Sequence, residues 1–337
     1  MLVGMMRNYK NPTLLAKLIA MNCCYYGVDF IYFRPDDVDM TYNSVKGKVF
    51  KGGKWQVVEK PIPDFIDVTK YVFKHKEVVN YLKKVTTLSD NGQQMVNKEI
   101  LYKHLEQDPD LKDIIIPSKV YEEKKDLMEF LDLYNEIILK PIDGQKGKGI
   151  KYIKKVGNEY ELLFQKHSKQ LSYYELIDYL NNLPNVNDFV IQKYIRAKTK
   201  EDVPFDCRVH MNKDHSGEWQ IAKKYMRVGL GQRILSNLSQ GGGVVNSKNF
   251  LKANYGTNWE FINEELTRLS FELSKKVEVI RDQNLMSLGI DFGIDKNGKI
   301  YVFETNSSPG VQFIEANVAL LRAQYYRYII GRLKNKI

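Results

Sequence analysis

The stretch Leu288 to Gly310, LGIDFGIDKNGKIYVFETNSSPG, constrains this chain most. Ile290 to Ile294 and Ile300 to Phe303 each alternate at the two-residue period of a strand, and Asp295 to Gly298 supply turn residues between them, so the spacing predicts a hairpin. Side chains two apart on a strand share a face. Glu304 and Asn306 therefore leave the second strand side by side, with Asp291 on the first. Three hard oxygen donors on rigid strands are a set that Mg²⁺ takes when it keeps several waters and also binds substrate phosphates. Taken alone, the pattern suits equally a turn cap at Asp291 and a solvent-facing Glu304.

Which of these holds depends on the rest of the chain. At 337 residues, 43% of them hydrophobic, it is long enough for two or three domains at roughly 150 residues each. No apolar run approaches the ~20 residues that cross a bilayer, and the opening MLVGMMRNYK turns polar too soon for a signal peptide, so a cytoplasmic protein is expected. Cys23, Cys24 and Cys207 form neither a disulfide framework nor a zinc spacing, and none of the five histidines is spaced as a metal ligand. A net charge of +10 suits an anionic partner; the lysines are spread through the chain rather than clustered, so nucleic acid is not the expected one.

Residues 1–87 read as a small α/β unit: a strand in LVGMM, a helix capped by Thr13 and running to about Tyr26, a strand in DFIYF, then a hairpin about Gly52 and Gly53 and a third strand. A helix follows with Lys98 as its first basic residue. The runs IIIPSKVY and EIILKPID read as strands flanking a helical EEKKDLMEFLDLYN, and the second enters GQKGKGIKYI. Glycines at 144, 147 and 149 let a loop bring N–H groups near phosphates, with Lys140, Lys146 and Lys148 adding charge, although glycine and lysine also build plain hairpin turns. It is not a Walker loop, since no GKS or GKT leads into a helix. FVIQKYI is a buried strand with polar residues near its end, and FDCRVHM places Asp206 and Arg208 on one strand face, where an ion pair between them is the simpler reading and an anion ligand the alternative. Arg227, then Asn237 within SNLSQGGG, precede a long amphipathic helix from Trp259 to Gln283, and Val318 to Leu333 closes the chain as a helix.

In this order Lys98, LKPIDGQKGKGI, VIQKYI, FDCR, the RVG to SNLSQGG segment and the LGIDFG to ETNSSPG hairpin resemble the ATP-grasp superfamily, and within it the spore-coat-associated YheC/YheD proteins; ribosomal-protein glutamate ligase and glutathione synthetase are similar at one remove. The resemblance spans about 88 to 335 and implies an ATP-grasp fold of two α+β lobes behind an α/β pre-ATP-grasp domain, with divisions at 1–87, 88–195 and 196–337. It implies ATP with Mg²⁺ or Mn²⁺. Lys98 and Lys140 would lie on the phosphates beneath a lid of Gly144, Gln145, Lys146, Gly147, Lys148 and Gly149; Gln192, Lys193, Tyr194 and Ile195 would face adenine; and Asp291, Glu304 and Asn306 would hold the metal. Arg208, Arg227 and Asn237 would face the reacting phosphate and carboxylate. One departure is Lys193, where glutamate-ligase relatives carry Glu, which shifts adenine recognition toward the backbone and leaves Glu201 or Asp202 for the ribose.

The chemistry so implied is carboxylate-amine ligation with an amino-acid or acidic peptide or protein substrate, in a protein without a membrane segment, cytoplasmic or spore-associated, for which a homo-oligomer is compatible. An ATP-grasp-like kinase and a non-catalytic coat protein that keeps the fold are the rival readings. The absence of a Ser/His or Cys/His pairing fits a reaction without a side-chain nucleophile.

Overall fold

Leu2–Met6 (β1) is an unbroken apolar run whose residues from Val3 onward are buried, as a central parallel strand covered on both faces requires. Residues 7–13 lead to α1 (Leu14–Tyr25), which the Thr13 hydroxyl caps by accepting the Ala16 N–H at 3.3 Å. β2 (Asp29–Phe33) returns parallel on one flank of β1. β3 (Val38–Asp39) and the hairpin of β4 (Ser44–Lys51) and β5 (Lys54–Pro61) extend that edge. β6 (Phe65–Asp67) then takes the other flank of β1, α2 (Lys76–Val85) follows, and β7 (Thr87–Leu88) ends the sheet, giving the order β3-β4-β2-β1-β6-β7 with β5 on β4. The strand order thus reverses at β1. The computed structural model describes residues 1–90, 92, 98–142, 149–164, 167–183, 188–229 and 242–334, with the main chain alone at 98 and 99.

The second sheet is antiparallel. After α3 (Lys98–Glu106) come β8 (Ser118–Val120), α4 (Lys124–Tyr134), β9 (Glu136–Pro141), β10 (Lys151–Val156), β11 (Glu159–Phe164), β12 (His167–Leu171), α5 (Tyr173–Asn181) and β13 (Phe189–Lys193), in the sheet order β12-β11-β10-β9-β13-β8. Leu127 and Leu131 of α4 and Leu176 and Leu180 of α5 cover one face through Ile137, Leu139, Ile153 and Ile191. Strand alternation then puts Lys140 and Gln192 on the opposite face.

The first half of IIIPSKVY is not a strand, contrary to the sequence reading. Lys112–Ile114 is a 3₁₀ turn, and Ile115 makes a single bridge to Val302. Two causes act together: Ile114 and Ile115 are drawn into the core of the third sheet, and Pro117 has no N–H to continue a ladder. Leu101 and Leu105 of α3 enter the same core, so α3 is packed with the third sheet and not with the second.

That third sheet is formed by β14 (Phe205–Lys213), β15 (Trp219–Val228), β16 (Gly243–Asn246), β17 (Ser287–Ile294) and β18 (Ile300–Asn306), antiparallel in the order β16-β15-β14-β17-β18. Gly243, the last glycine of SNLSQGGG, is the first residue of edge strand β16. α6 (Ser247–Tyr255) and α7 (Trp259–Ile280) follow β16, and α7 lays Leu266, Leu269, Leu273 and Val277 on Val209, Met211, Leu288 and Ile290, each such side chain contributing about 1.5–3 kcal/mol on burial. α8 (Glu315–Lys334) packs on the other face of β14 and β15 and, through Ala319 and Ala323, close against Ala16, Ile19 and Ala20 of α1. The first and third sheets are thereby joined.

The predicted hairpin is β17 and β18, with a feature that alternation did not foretell. Phe292 pairs with Val302 but Asp291 pairs with Glu304, so Phe303 is an extra residue, a bulge. Without it Glu304 would oppose Ile290 on the apolar face. The bulge turns Glu304 to the side of Asp291.

Candidate active site

Alternation on β14 sets Asp206, Arg208, His210 and Asn212 on one face, opposite Cys207, Val209 and Met211 in the apolar core. Register does the rest. Arg208 stands opposite Tyr225 on β15 and Asp291 on β17, Asp206 opposite Arg227, and Asp291 opposite Glu304. Asn306 faces Gly289, where an added Cβ would lie 2.6 Å from Pro309 Cβ, so Pro309 packs directly on the bare backbone at this position.

Asp206, Arg208, Arg227 and Asp291 are all buried. Arg208 holds both oxygens of Asp291 through Nε and Nη2, the latter at 2.7 Å. Arg227 holds Asp206 in the same two-pronged way, with Nε at 2.6 Å, and its Nη2 also lies 2.9 Å from Asp291 Oδ2. This corrects the expected Asp206–Arg208 pair. Residues two apart on one strand are about 6.6 Å apart, whereas cross-strand neighbours stand about 5 Å apart, so each guanidinium turns across the sheet. Burial alone would raise the Asp291 pKa, but the Arg208 and Arg227 charges outweigh it and hold the carboxyl down at about 2. Beside them His210 is fully buried and stacks on Tyr225 with ring centroids 6.0 Å apart; burial, then the Arg208 charge, push its pKa down to about 3, so the imidazole is neutral.

Tyr102 was not anticipated. Its position four residues after Lys98 on α3 is the signal that could have found it, since such residues share a helix face. Its hydroxyl pKa is raised by burial first and then by the charges of Glu304 and Asp291. Equally unread was a buried cluster in which Asp67 of β6 meets Arg7 at 2.9 Å, Arg322 at 3.2 Å and the Tyr326 hydroxyl at 2.5 Å, the last two from α8.

On the second sheet Lys140 donates to Gln192 Oε1 at 3.0 Å. The Lys193 ammonium lies 5.3 Å over the Tyr134 ring, Tyr194 meets Tyr152 edge to face at 4.8 Å, and Ile195 is buried with Ile116 and Tyr301. The N–H groups of Lys193 and Tyr194 are donated to Pro117 O and Glu136 O, so a purine contact at these two positions falls to carbonyl oxygens and side chains. Asp202, a ribose candidate, pairs with Lys198 at 2.7 Å. Gly149 has a positive φ of 79° at the end of the glycine-rich segment. Gly144, Gln145, Lys146, Gly147, Lys148 and Asn237, and the side chain of Lys98, lie outside the described residues.

Asp291 and Glu304 stand opposite each other, with Asn306 on the same side of β18 as Glu304, so the three expected oxygen donors share one face of the sheet. Asp291 shares its oxygens with two guanidiniums. Glu304 and Asn306 are only half-buried.

A mixed sheet with parallel central strands, two antiparallel sheets and an acid pair on the last hairpin can now be compared with known proteins. A family model described as YheC/D like ATP-grasp matches residues 87–332. The chain belongs to that family. It is 25% identical over 300 residues to the endospore coat-associated protein YheC of Bacillus subtilis (strain 168), covering 85% of this chain and 82% of YheC. To YheD of the same organism it is 25% identical over 329 residues, or 91% and 70% of the two chains. Among solved structures, D-cycloserine synthetase DcsG superposes with a TM-score of 0.53 at 11% identity over 99% of this chain and 100% of that one. The ATP-grasp ligase PsnB, complexed with precursor peptide PsnA2 and AMPPNP, gives 0.53 at 11% identity over 98% of each. These likenesses establish an ATP-grasp fold for this YheC/D-like chain. Among its described residues no helix is long and apolar enough to cross a membrane.

Proposed function

We propose that this YheC/D-like chain is an ATP-dependent carboxylate-amine ligase. The observation that carries the reading is the polar face of the third sheet, where Arg208 and Arg227 converge on Asp291 directly across from Glu304. Relatives in fold support it: PsnB is an ATP-grasp ligase complexed with a precursor peptide, and DcsG a D-cycloserine synthetase.

In this reading a substrate carboxylate oxygen attacks the γ-phosphorus of ATP, the bond to the β-phosphate oxygen breaks, and ADP leaves. An amine nitrogen then attacks the acyl phosphate, phosphate departs with the bonding electrons, the nitrogen loses its proton and an amide remains. Asp291, Glu304 and Asn306 would hold Mg²⁺, whose chemistry is to polarise phosphoryl oxygens. Lys140, with Lys98 and the 144–149 segment, would bind the nucleotide phosphates, and Gln192 to Ile195 the base. Arg208 and Arg227 use Nε and Nη2 on the two aspartates, which leaves each Nη1 edge for the anionic oxygens that form at phosphorus and carbon. Their pairing with Asp206 and Asp291 fixes both forks before substrate arrives, so little reorganisation opposes the reaction. Asn237 completes the set.

The test is ADP and phosphate release with Mg²⁺ over a panel of amino acids and acidic peptides, followed by product mass. Amide formation with stoichiometric free phosphate is expected. Phosphate retained on the acceptor would make the chain a kinase, and no nucleotide-dependent product at all would leave it a coat protein.

A further inference from the structure

The loop that leaves β1 stands where the strand order of the first sheet reverses, the place at which open sheets with parallel strands leave a crevice for ligands. Here it borders a cavity of about 490 Å³ lined by Asn8, Tyr9, Lys10, Asn11 and Thr13. Two of its carbonyls accept hydrogen bonds and one of its side chains anchors it. Tyr32 Oη donates to Tyr9 O at 2.7 Å, Lys48 Nζ to Lys10 O at 3.0 Å and to Asn11 Oδ1 at 3.4 Å, and the Asn8 side-chain Nδ2 to Tyr71 O at 2.8 Å. The carbonyls are thus committed, while the Tyr9 ring is 64% exposed and, among the described residues, no acid pairs with the Lys10 ammonium. Asn8 Oδ1 is buried and has no hydrogen-bond partner among the described residues. A held backbone that presents the Tyr9 ring and the Lys10 ammonium to solvent is a preorganised recognition surface.

We propose that this cavity seats a carboxylate of an acidic peptide substrate, with Lys10 supplying the charge, Tyr9 the apolar wall and the Asn11 amide a further polar contact. No acid lines it, and the surface continues past Tyr71, 59% exposed, whose ring carries the Lys70 ammonium at 5.4 Å. Rings alternating with ammonium groups match a chain of methylenes and carboxylates. A phosphate would call for a guanidinium fork or a nest of free N–H groups, whereas the lining offers a point charge. The site also has a route to the reacting centre: Arg7, next to Asn8, holds Asp67, which holds Arg322 of α8, and α8 packs on the strand of Arg208. The proposal rests on the ligase reading for the fate of the bound peptide only.

Calorimetric titration of the full chain at low salt with triglutamate, triglutamine and inorganic phosphate tests it apart from turnover. Triglutamate is expected to bind at least about tenfold more tightly than triglutamine and to lose affinity as salt rises through about 0.15 M. Lys10→Glu should weaken triglutamate by about fivefold or more, and Tyr9→Ala should weaken both peptides. Equal affinity for the two peptides, no binding of either, or an unchanged Lys10→Glu variant overturns the proposal. Displacement of triglutamate by phosphate at matching concentration overturns it too, in favour of a phosphate site. Triglutamate binding without any ATP turnover would sink the ligase reading and leave this one standing.

Discussion

Arg208 and Asp291 face each other across β14 and β17, and the guanidinium grips both carboxylate oxygens while Arg227 reaches the same carboxylate from β15 at 2.9 Å. One acid thus neutralises the edges of two buried cations. Asp291→Asn removes that charge and leaves both guanidiniums short of a partner, so unfolding free energy should fall by about 3–5 kcal/mol. Urea denaturation measures this; a midpoint like the parent's would mean that Asp206 and solvent suffice for both arginines.

Glu304 is half-buried, opposite the same aspartate, and its proposed duty is the metal. Glu304→Ala should lower ADP release by at least ~100-fold, since several kcal/mol of charge stabilisation go with the ion, and should destabilise the fold less than Asp291→Asn does. Near-parent turnover at saturating Mg²⁺ would remove Glu304 from the metal site.

How far the sequence discloses this arrangement differs from residue to residue. The β17–β18 hairpin was legible because period-two alternation and turn residues are local signals, and Thr13 was legible as a cap because its oxygen serves an N–H three residues on. The bulge at Phe303 was not, since neither Gly nor Pro marks it, yet it decides which way Glu304 faces. Partner choice was also hidden: Arg208 had an acid two residues away and took one 83 residues away, because register and not sequence distance sets which side chains meet. Asp67 reads as an acid ending a short apolar run, and nothing nearby announces Arg7, Arg322 and Tyr326. The glycine-rich segment and Asn237 were legible as composition alone.

Arg227 separates charge from shape. Arg227→Lys keeps the cation but has no planar fork to bind Asp206 through two nitrogens, so kcat should fall by about tenfold or more while the nucleotide KM changes little. Steady-state kinetics with the best substrate of the panel decides it. An unchanged kcat would make Arg227 a purely structural ion-pair partner.

Asp67 ties the first sheet to α8, and its test is stability. Burial would raise its pKa, but Arg7 and Arg322, helped by the Tyr326 hydroxyl, outweigh that and hold it below the usual 3.8. A carboxyl depressed in the folded state stabilises above its unfolded pKa and loses that contribution as pH falls through the folded value. Tyr326→Phe should cost about 1–3 kcal/mol at neutral pH by removing one bond to a buried charge. Thermal melts of parent and variant at pH 7 measure it, and equal melting temperatures would mean that Arg7 and Arg322 satisfy Asp67 without the Tyr326 hydroxyl.

His210 carries the last prediction, and its pH window differs from that of Asp67. In the unfolded chain its imidazole takes up a proton near pH 6.5, whereas in the fold burial and the neighbouring Arg208 keep it neutral down to about pH 3. Between those values the unfolded state binds one proton more, so stability drops as pH falls, by about 1.4 kcal/mol per pH unit for a single group, and is flat above 6.5. From pH 7 to pH 5 His210 alone should therefore cost the protein about 2 kcal/mol. His210→Asn cannot titrate there, and it should narrow the loss between pH 7 and pH 5 by that amount even if it is less stable at pH 7. Denaturation curves of both proteins at the two pH values give the difference directly. Parallel losses would show that protons reach the imidazole in the fold, and that the face of β14 opens to solvent far more than its buried side chains indicate.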